Sequence, residues 1–410
     1  MKTNLYKILL FCAIATLLIG CSGQTITISL PSISQAEPAT AVPVISATST
    51  QPANSVKLPK GVFVDLQDKL GLTYFNLQGQ SITKLKTPGS TNLGSGEVVV
   101  AGGMPPGPIM VPIVYVAVDP QSALMMNVND QITTLVTAQN IFRLAGAPGS
   151  SFLAYSQVNQ KSDGMENKLF AGSPQTIAQS PAVINSFDTQ GFLGIVPVAV
   201  DVENDTLKGV WFTKIPFGIG GDIVFDPYSG LYYYNQATGA VNEYLNAKQT
   251  FQGLSPDHTL AAYTDQGTQA SQEIKVLNLK TGILTSVALD PGSDRGGGFV
   301  QFSADDHFMS WMEGSGFQMS ETPNFHSRLR IAQMGATAGV VLDLTDVASA
   351  KTLGYTALAR IKPVGWLDNK SVLIEVRQEN WEQVALVKLD VASGSLSAFC
   401  NGSFVAFAYE

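Results

Sequence analysis

The chain has 410 residues, of which 24 are Lys or Arg and 32 are Asp or Glu, giving a formal net charge of -8. Hydrophobic residues make up 45% and charged residues only 14%, with 38 glycines and 21 prolines. Such a chain is not disordered, because disorder needs low hydrophobicity and high charge, and its acidity offers no basic footprint for nucleic acid. Few charges, many glycines and many β-branched residues point instead to an extracytoplasmic β protein.

At the N-terminus, Lys2 and Lys7 flank the start of an apolar run, Ile8 to Ile19. The run is shorter than the ~20 residues a spanning helix needs and fits the h-region of a secretory signal. It ends in Leu18-Ile19-Gly20-Cys21. This tetrapeptide resembles the lipobox of bacterial lipoproteins. The resemblance implies lipid on the Cys21 thiol, cleavage before Cys21 and acylation of the new amino group. Two or three acyl chains anchor a protein stably, whereas one binds only marginally. Ser22 rather than Asp follows Cys21, which by the same resemblance implies the outer membrane in a double-membrane cell, or the outer face of the cell membrane otherwise. An ordinary signal peptide or an N-terminal anchor is the alternative. Loss of residues 1–20 removes two lysines and takes the charge from -8 to -10. No other segment is apolar for the ~18 residues that would suggest a transmembrane helix.

Residues 22–59 are rich in Ser, Thr, Pro, Ala and Gln, with Glu37 and Lys57 the only charges. This stretch cannot bury enough apolar surface to offset its ordering entropy, and reads as a flexible tether. The expected organisation is therefore 1–20 signal, 21–59 lipidated N-terminus and tether, and 60–410 folded domain. With Cys12 lost and Cys21 acylated, Cys400 alone remains, either a small buried residue beside Phe399 or a reactive thiol.

From about residue 60, short apolar runs alternate with turn residues, and helical spacing is nearly absent. This pattern predicts an all-β sandwich, barrel or propeller. Two recurrent segments decide among them. The first is a strand, a tight turn and a strand: Leu277-Asn278-Leu279-Lys280-Thr281-Gly282-Ile283-Leu284, with copies at Leu389–Leu396, Tyr234–Val241 and Phe75–Ile82. Asn or Asp bonds its own downstream backbone, and Gly takes the φ > 0 position. The second precedes it: Leu254-Ser255-Pro256-Asp257-His258-Thr259-Leu260-Ala261-Ala262-Tyr263, with copies at Phe302–Trp311 and Gly365–Leu373. Looser copies begin at Asp119, Gly146 and Asp226. Their order resembles the blades of TolB-like and WD40-like β-propellers, of the looser TolB type because the Trp-Asp dipeptide is missing. The resemblance covers roughly residues 60–410. Anchors near 76, 129, 180, 235, 278, 334 and 390 give seven blades of four antiparallel strands, with six or eight left open and Val198–Thr213 a candidate extra blade. The alternating run Ser403 to Tyr409 is expected to pair into the first blade.

Candidate chemistry is sparse. His258 and His307 occupy equivalent turn slots, where His is tolerated in the left-handed region; His326 stands apart. Asp119, Asp226, Asp257, Asp305 and Asp368 each serve a turn. Gly292–Gly298 reads as a flexible connection without the alternating carboxylates of a calcium loop. No catalytic residue, metal site or cofactor is assigned. Aromatics concentrate between Trp211 and Tyr234, and the loop Pro216–Asp222 departs from the repeat. Trp211, Phe217, Asp222, Tyr232 and Tyr234 are the candidate ligand- or partner-binding residues, with core packing between blades as the competing role. TolB-like blades also occur in prolyl-oligopeptidase-type enzymes beside a hydrolase domain carrying their triad, but peptidase activity is not expected here, because the blades take up residues 60–410. The expected function is a membrane-anchored binding or scaffold module for a protein partner in the cell envelope. The alternatives are a propeller enzyme acting on carbohydrate, which needs paired carboxylates or a His-bound metal, and a glycan or solute receptor.

Overall fold

The structure, a computed structural model, describes residues 56–67, 71–87, 97–102, 112–117, 123–190, 192–217, 225–265, 271–290, 295–316, 325–334, 339–345, 359–378 and 384–409. All belong to the unit Ser49–Glu410. The signal, Cys21, nearly all of the tether and the loop residues 218–222 lie outside the described residues.

The described chain is all-β apart from one short helix. The first sheet has β1 (Pro59–Asp65), β2 (Leu72–Asn76) and β3 (Ser81–Leu85), and β1 also pairs with β27 (Ser403–Tyr409), the last strand of the chain. β4 (Val98–Val100), β5 (Ile113–Ala117), β6 (Ala123–Val128) and β7 (Gln131–Thr137) form the second sheet. β8 (Ile141–Gly146), β9 (Leu153–Gln160), β10 (Gly164–Gly172) and β11 (Val183–Gln190) form the third, with helix α1 (Pro174–Gln179) between its last two strands. A seven-stranded sheet follows: β12 (Leu193–Glu203), β13 (Thr206–Pro216), β14 (Ser229–Asn235), β15 (Val241–Leu254), β16 (Leu260–Asp265), β17 (Glu273–Asn278) and β18 (Leu284–Ala288). The last two sheets are β19 (Arg295–Phe302), β20 (Phe308–Ser315), β21 (His326–Gln333) and β22 (Gly339–Thr345), then β23 (Ala359–Trp366), β24 (Ser371–Gln378), β25 (Val384–Asp390) and β26 (Leu396–Asn401). Every pairing is antiparallel, and all but β27 with β1 join neighbours in sequence. β15 serves two meanders: Val241–Leu245 pairs with β14, and Gln249–Leu254 pairs with β16.

The turns follow the predicted chemistry. Asn235 Oδ1 accepts from the Ala237 and Thr238 amides, and Gly239 sits at φ +69. Asn278 and Gly282 repeat this between β17 and β18, and Asp390 and Gly394 between β25 and β26. Asn76 and Gly79 do so between β2 and β3. The Ser255-Pro256-Asp257-His258 and Ser303–His307 turns connect β15 to β16 and β19 to β20. In each, the serine hydroxyl donates to the aspartate at 2.7 Å and accepts an amide hydrogen from the next strand.

Four details depart from expectation. Asp226–Gly230 precedes β14, the third strand of its meander, whereas the Leu254–Tyr263 and Phe302–Trp311 copies join a first strand to a second. Val198–Thr213 is not a separate repeat, because Asn204 and Asp205, both at positive φ, fold β12 onto β13 as one hairpin. Residues 295–298 of the glycine run are strand rather than flexible connection. A Cβ on Gly298 would lie 2.4 Å from Gln252 Oε1 and 2.6 Å from the Phe225 ring, so glycine is required by close packing. The helix, too, was missed; Ser173 caps it through its hydroxyl and Pro174 opens it, the arrangement that favours a helix start.

The core is partitioned between successive sheets rather than gathered at one centre. Phe63, Leu72 and Val405 of the first sheet pack against Val98, Ile113 and Tyr115 of the second. The second meets the third through Leu124, Leu153, Tyr155 and Phe170, and the third meets β12–β14 through Leu169, Phe212 and Tyr232. Trp211, Tyr233 and Phe251 join the two meanders of the seven-stranded sheet. Further clusters join β16–β18 to β19–β20, and β21 to β23–β25. One more joins the last sheet to the first, through Leu373, Leu386, Val62 and Val64. The architecture is thus multiple antiparallel sheets, mostly of four strands, packed face to face in cyclic succession, which is propeller-like.

Candidate functional site

The strands that open each meander border a common central cavity. β4, β8, β12, the second half of β15, β19 and β27 line its middle, and β23 contributes at both ends. Gln301 lines all three parts of the cavity. These strands are inner edges, and they carry the devices edges carry: Pro197 and Pro363 within strands, and breaks in register. A bulge re-aims side chains. Arg143 falls in the break between Ile141 and Leu144, and Gln252 between Phe251 and Gly253. Phe299, at φ +56, falls between Gly298 and Gln301, and Val364 between Pro363 and Gly365. All four line the same end of the cavity.

That end encloses 480 Å³ and is strongly polar. Arg143, Lys362 and Arg377 supply positive charge, and Asp65, Asp226 and Glu375 negative charge. Glu375 is committed to structure: its Oε1 accepts from Arg377 Nε at 2.7 Å and its Oε2 from the Phe404 amide at 2.9 Å. Arg143 donates through Nη1 to Glu97 at 2.8 Å. The Lys362 ammonium lies 4.1 Å from the centre of the Phe299 ring. Burial pushes the Lys362 pKa down, against the opposing pull of Asp226 and Glu375. Arg360, on the same strand, is also pushed down, first by burial and then by Arg377. The Tyr228 hydroxyl is pushed up by burial and by Asp226 beside it. Lys362 and Tyr228 both line the cavity, and removal from bulk water disfavours the charged form of each.

At the other end, 540 Å³ are bordered by Ala147, Pro148, Gly365, Trp366 and Tyr409. Lys57, the first charged residue of the described chain, donates to the Gly149 carbonyl here at 3.1 Å. His258 lies in this wall and in that of the middle. It is held in the left-handed region at φ +59 by a short hydrogen bond between Nδ1 and Asp201 Oδ1. Asp201 is fully buried and accepts from Trp211 Nε1 at 3.2 Å on its other oxygen. The Tyr233 hydroxyl joins the group; burial first, and Asp201 second, raise its pKa.

Of the residues singled out from sequence, Trp211, Tyr232 and Tyr234 lie in the packed interior, at 0%, 6% and 6% exposure. Phe217 is half-buried, its ring 5.0 Å from that of Phe142 and set closely over Gly194. Asp222 lies outside the described residues. The structure brings Trp211 together with His258 around Asp201, and keeps His307, on a turn, apart from His326, the first residue of β21, both exposed. Among the described residues no group of three or more His, Cys, Asp or Glu is arranged to hold a metal. Cys400 is half-buried, its thiol pushed up to about 12 by burial. Sequence reasoning missed Arg143, Lys362 and Arg377. The available signal was charge within apolar strands, as in Arg360-Ile361-Lys362 of β23 and Glu375-Val376-Arg377 of β24.

No protein-family model matches the chain, and no curated protein matches it. Among solved structures, it is similar to TolB from Acinetobacter baumannii, with 11% identity over 73% of this chain and 65% of that one, at a TM-score of 0.39. The match thus spans less than two thirds of TolB. It is also similar to an oligogalacturonate lyase from Vibrio parahaemolyticus, with 10% identity over 85% and 87% and a TM-score of 0.49. The periplasmic gluconolactonase of Pseudomonas aeruginosa matches with 12% identity over 86% and 100%, at a TM-score of 0.45. Each is a distant likeness of the chain trace, and no helix among the described residues is long and apolar enough to cross a membrane.

Proposed function

We propose that this chain is an exported, lipid-anchored binding module of the cell envelope, a seven-bladed β-propeller tethered through Cys21 that receives its partner in the central cavity. Seven blades follow if the seven-stranded sheet is counted as two meanders sharing β15. The observation that carries the reading is the charged end of the cavity. Arg143, Asp226, Lys362 and Arg377 come from distant parts of the chain, and holding such charges in an enclosed space costs desolvation energy that the fold does not need. Packing between the sheets is already apolar.

Affinity capture from membranes solubilised in mild detergent tests it, comparing the full-length protein with Gln301→Trp, which fills the point common to all parts of the cavity. Loss of the captured partner with an unchanged circular dichroism spectrum is expected. Undiminished capture would sink the reading. A second reading, an enzyme acting on carbohydrate, draws support from His258 in the cavity wall, its imidazole oriented by Asp201 as a general base would be. It requires turnover that His258→Gln abolishes.

A further inference from the structure

The Lys362 ammonium lines the charged end of the cavity from a half-buried side chain. It carries three donors, no described residue accepts a hydrogen bond from it, and its contact is with the face of the Phe299 ring. An ammonium that lines a cavity with no protein acceptor is placed to meet an acceptor that enters it. Arg143, in the same lining, spends Nη1 on Glu97 and the Phe142 carbonyl, and no described residue takes its Nη2. Around these two cations stand acceptors with spare capacity. Asp65 receives the Gln67 amide on one oxygen, and Asp226 stands beside the Tyr228 hydroxyl; a carboxylate has about four acceptor sites. The remaining wall includes the Phe299 and Phe404 rings.

We propose that the charged end of the cavity binds a small hydroxylated carboxylate, its carboxylate held by Lys362 and Arg143 and its hydroxyls donated to Asp65 and Asp226. This deepens the reading of the cavity as the binding site. A carboxylate meets the ammonium as a charge-assisted acceptor and suits the guanidinium fork. Hydroxyls suit the acids, which a second anionic group would not. The 480 Å³ of this end admit a ligand of a few carbons.

Calorimetric titration of the full-length protein with threonate, and with threitol as its uncharged counterpart, provides the test. Saturable threonate binding is expected, with threitol weaker by about tenfold or more, the worth of one charge-assisted bond. Lys362→Met should weaken threonate by a similar factor. It should also leave the melting temperature of the ligand-free protein unchanged or raised, because no hydrogen bond to the protein is lost. Equal affinity for threonate and threitol, threonate binding untouched by Lys362→Met, or a lowered melting temperature in that variant would each overturn the proposal. So would saturable binding of inorganic phosphate without threonate, which would make this a site for inorganic oxoanions. Capture lost in Gln301→Trp without threonate binding in the wild type would leave the cavity as a partner site and remove this ligand class alone.

Discussion

His258 is the residue where turn chemistry and tertiary structure meet. In the repeat it stands where a turn tolerates a left-handed residue, and in the folded chain its ring is drawn onto Asp201, buried beneath Trp211 and Tyr233. Removing one member of a buried charged group strands the others. Asp201→Ala should therefore cost about 3–5 kcal/mol of stability in urea unfolding, whereas His307→Ala, on an exposed ring, should cost under about 0.5 kcal/mol. The next turn holds a titrating pair. Burial, then the neighbouring Asp257 carboxylate, push Asp306 up to about 7. Asp257 is held low against burial by Ser255 and Thr259. The folded state thus keeps a proton on Asp306 that the unfolded chain releases near 4. Stability should fall as pH rises from about 4 to about 7, and Asp306→Asn should flatten that part of a melting-temperature profile. An unchanged slope would assign it to other groups. None of this was legible in the sequence, because Asp201 and His258 lie 57 positions apart and Asp257 meets Asp306 only when two turns are packed side by side. The aromatic run from Trp211 to Tyr234 was legible as a cluster, and its ambiguity between surface and core resolves into burial for Trp211, Tyr232 and Tyr234.

At the scale of the element, local chemistry was readable and long-range aim was not. The Asn-x-x-x-Gly turns stand where their side chains dictate, since Asn and Gly act within five residues. The pairing of Ser403–Tyr409 with Pro59–Asp65 was also readable, from its alternation. Bulges were not, because nothing in Ile141-Phe142-Arg143-Leu144 announces a break in register; the break depends on what faces the strand. Those bulges deliver Arg143, Gln252, Phe299 and Val364 to the cavity, so the site escaped a reading that followed regular alternation. β27 makes a direct test of cyclic packing. Deleting residues 403–410 strips β1 of its inner partner and exposes Val62, Phe63 and Val64, all fully buried. An open apolar edge promotes association, so the truncated protein should elute as aggregates in size-exclusion chromatography. A monomer with wild-type melting temperature would show that the first sheet needs no closing strand.

At the scale of the molecule, the composition that opened the sequence reading has a structural cause. The interfaces between successive sheets, and that between the two meanders of the seven-stranded sheet, are filled with apolar side chains, and Asp65, Arg143, Asp226, Lys362, Glu375 and Arg377 gather at one end of the cavity. Lys57 lies at the opposite end, where it donates to the Gly149 carbonyl. Tethering through Cys21 predicts that Cys21→Ser releases the protein from the membrane fraction or leaves an unprocessed precursor. A processed, fully membrane-bound mutant would contradict it. The central claim is that the cavity, rather than the outer edge of a sheet, meets the partner. A photo-crosslinking residue placed in intact cells at Ser403, in the charged lining, or at Ile283, 63% exposed on an outer turn, measures this directly. The account predicts a discrete adduct from position 403 and none from position 283; an adduct from 283 alone would contradict it.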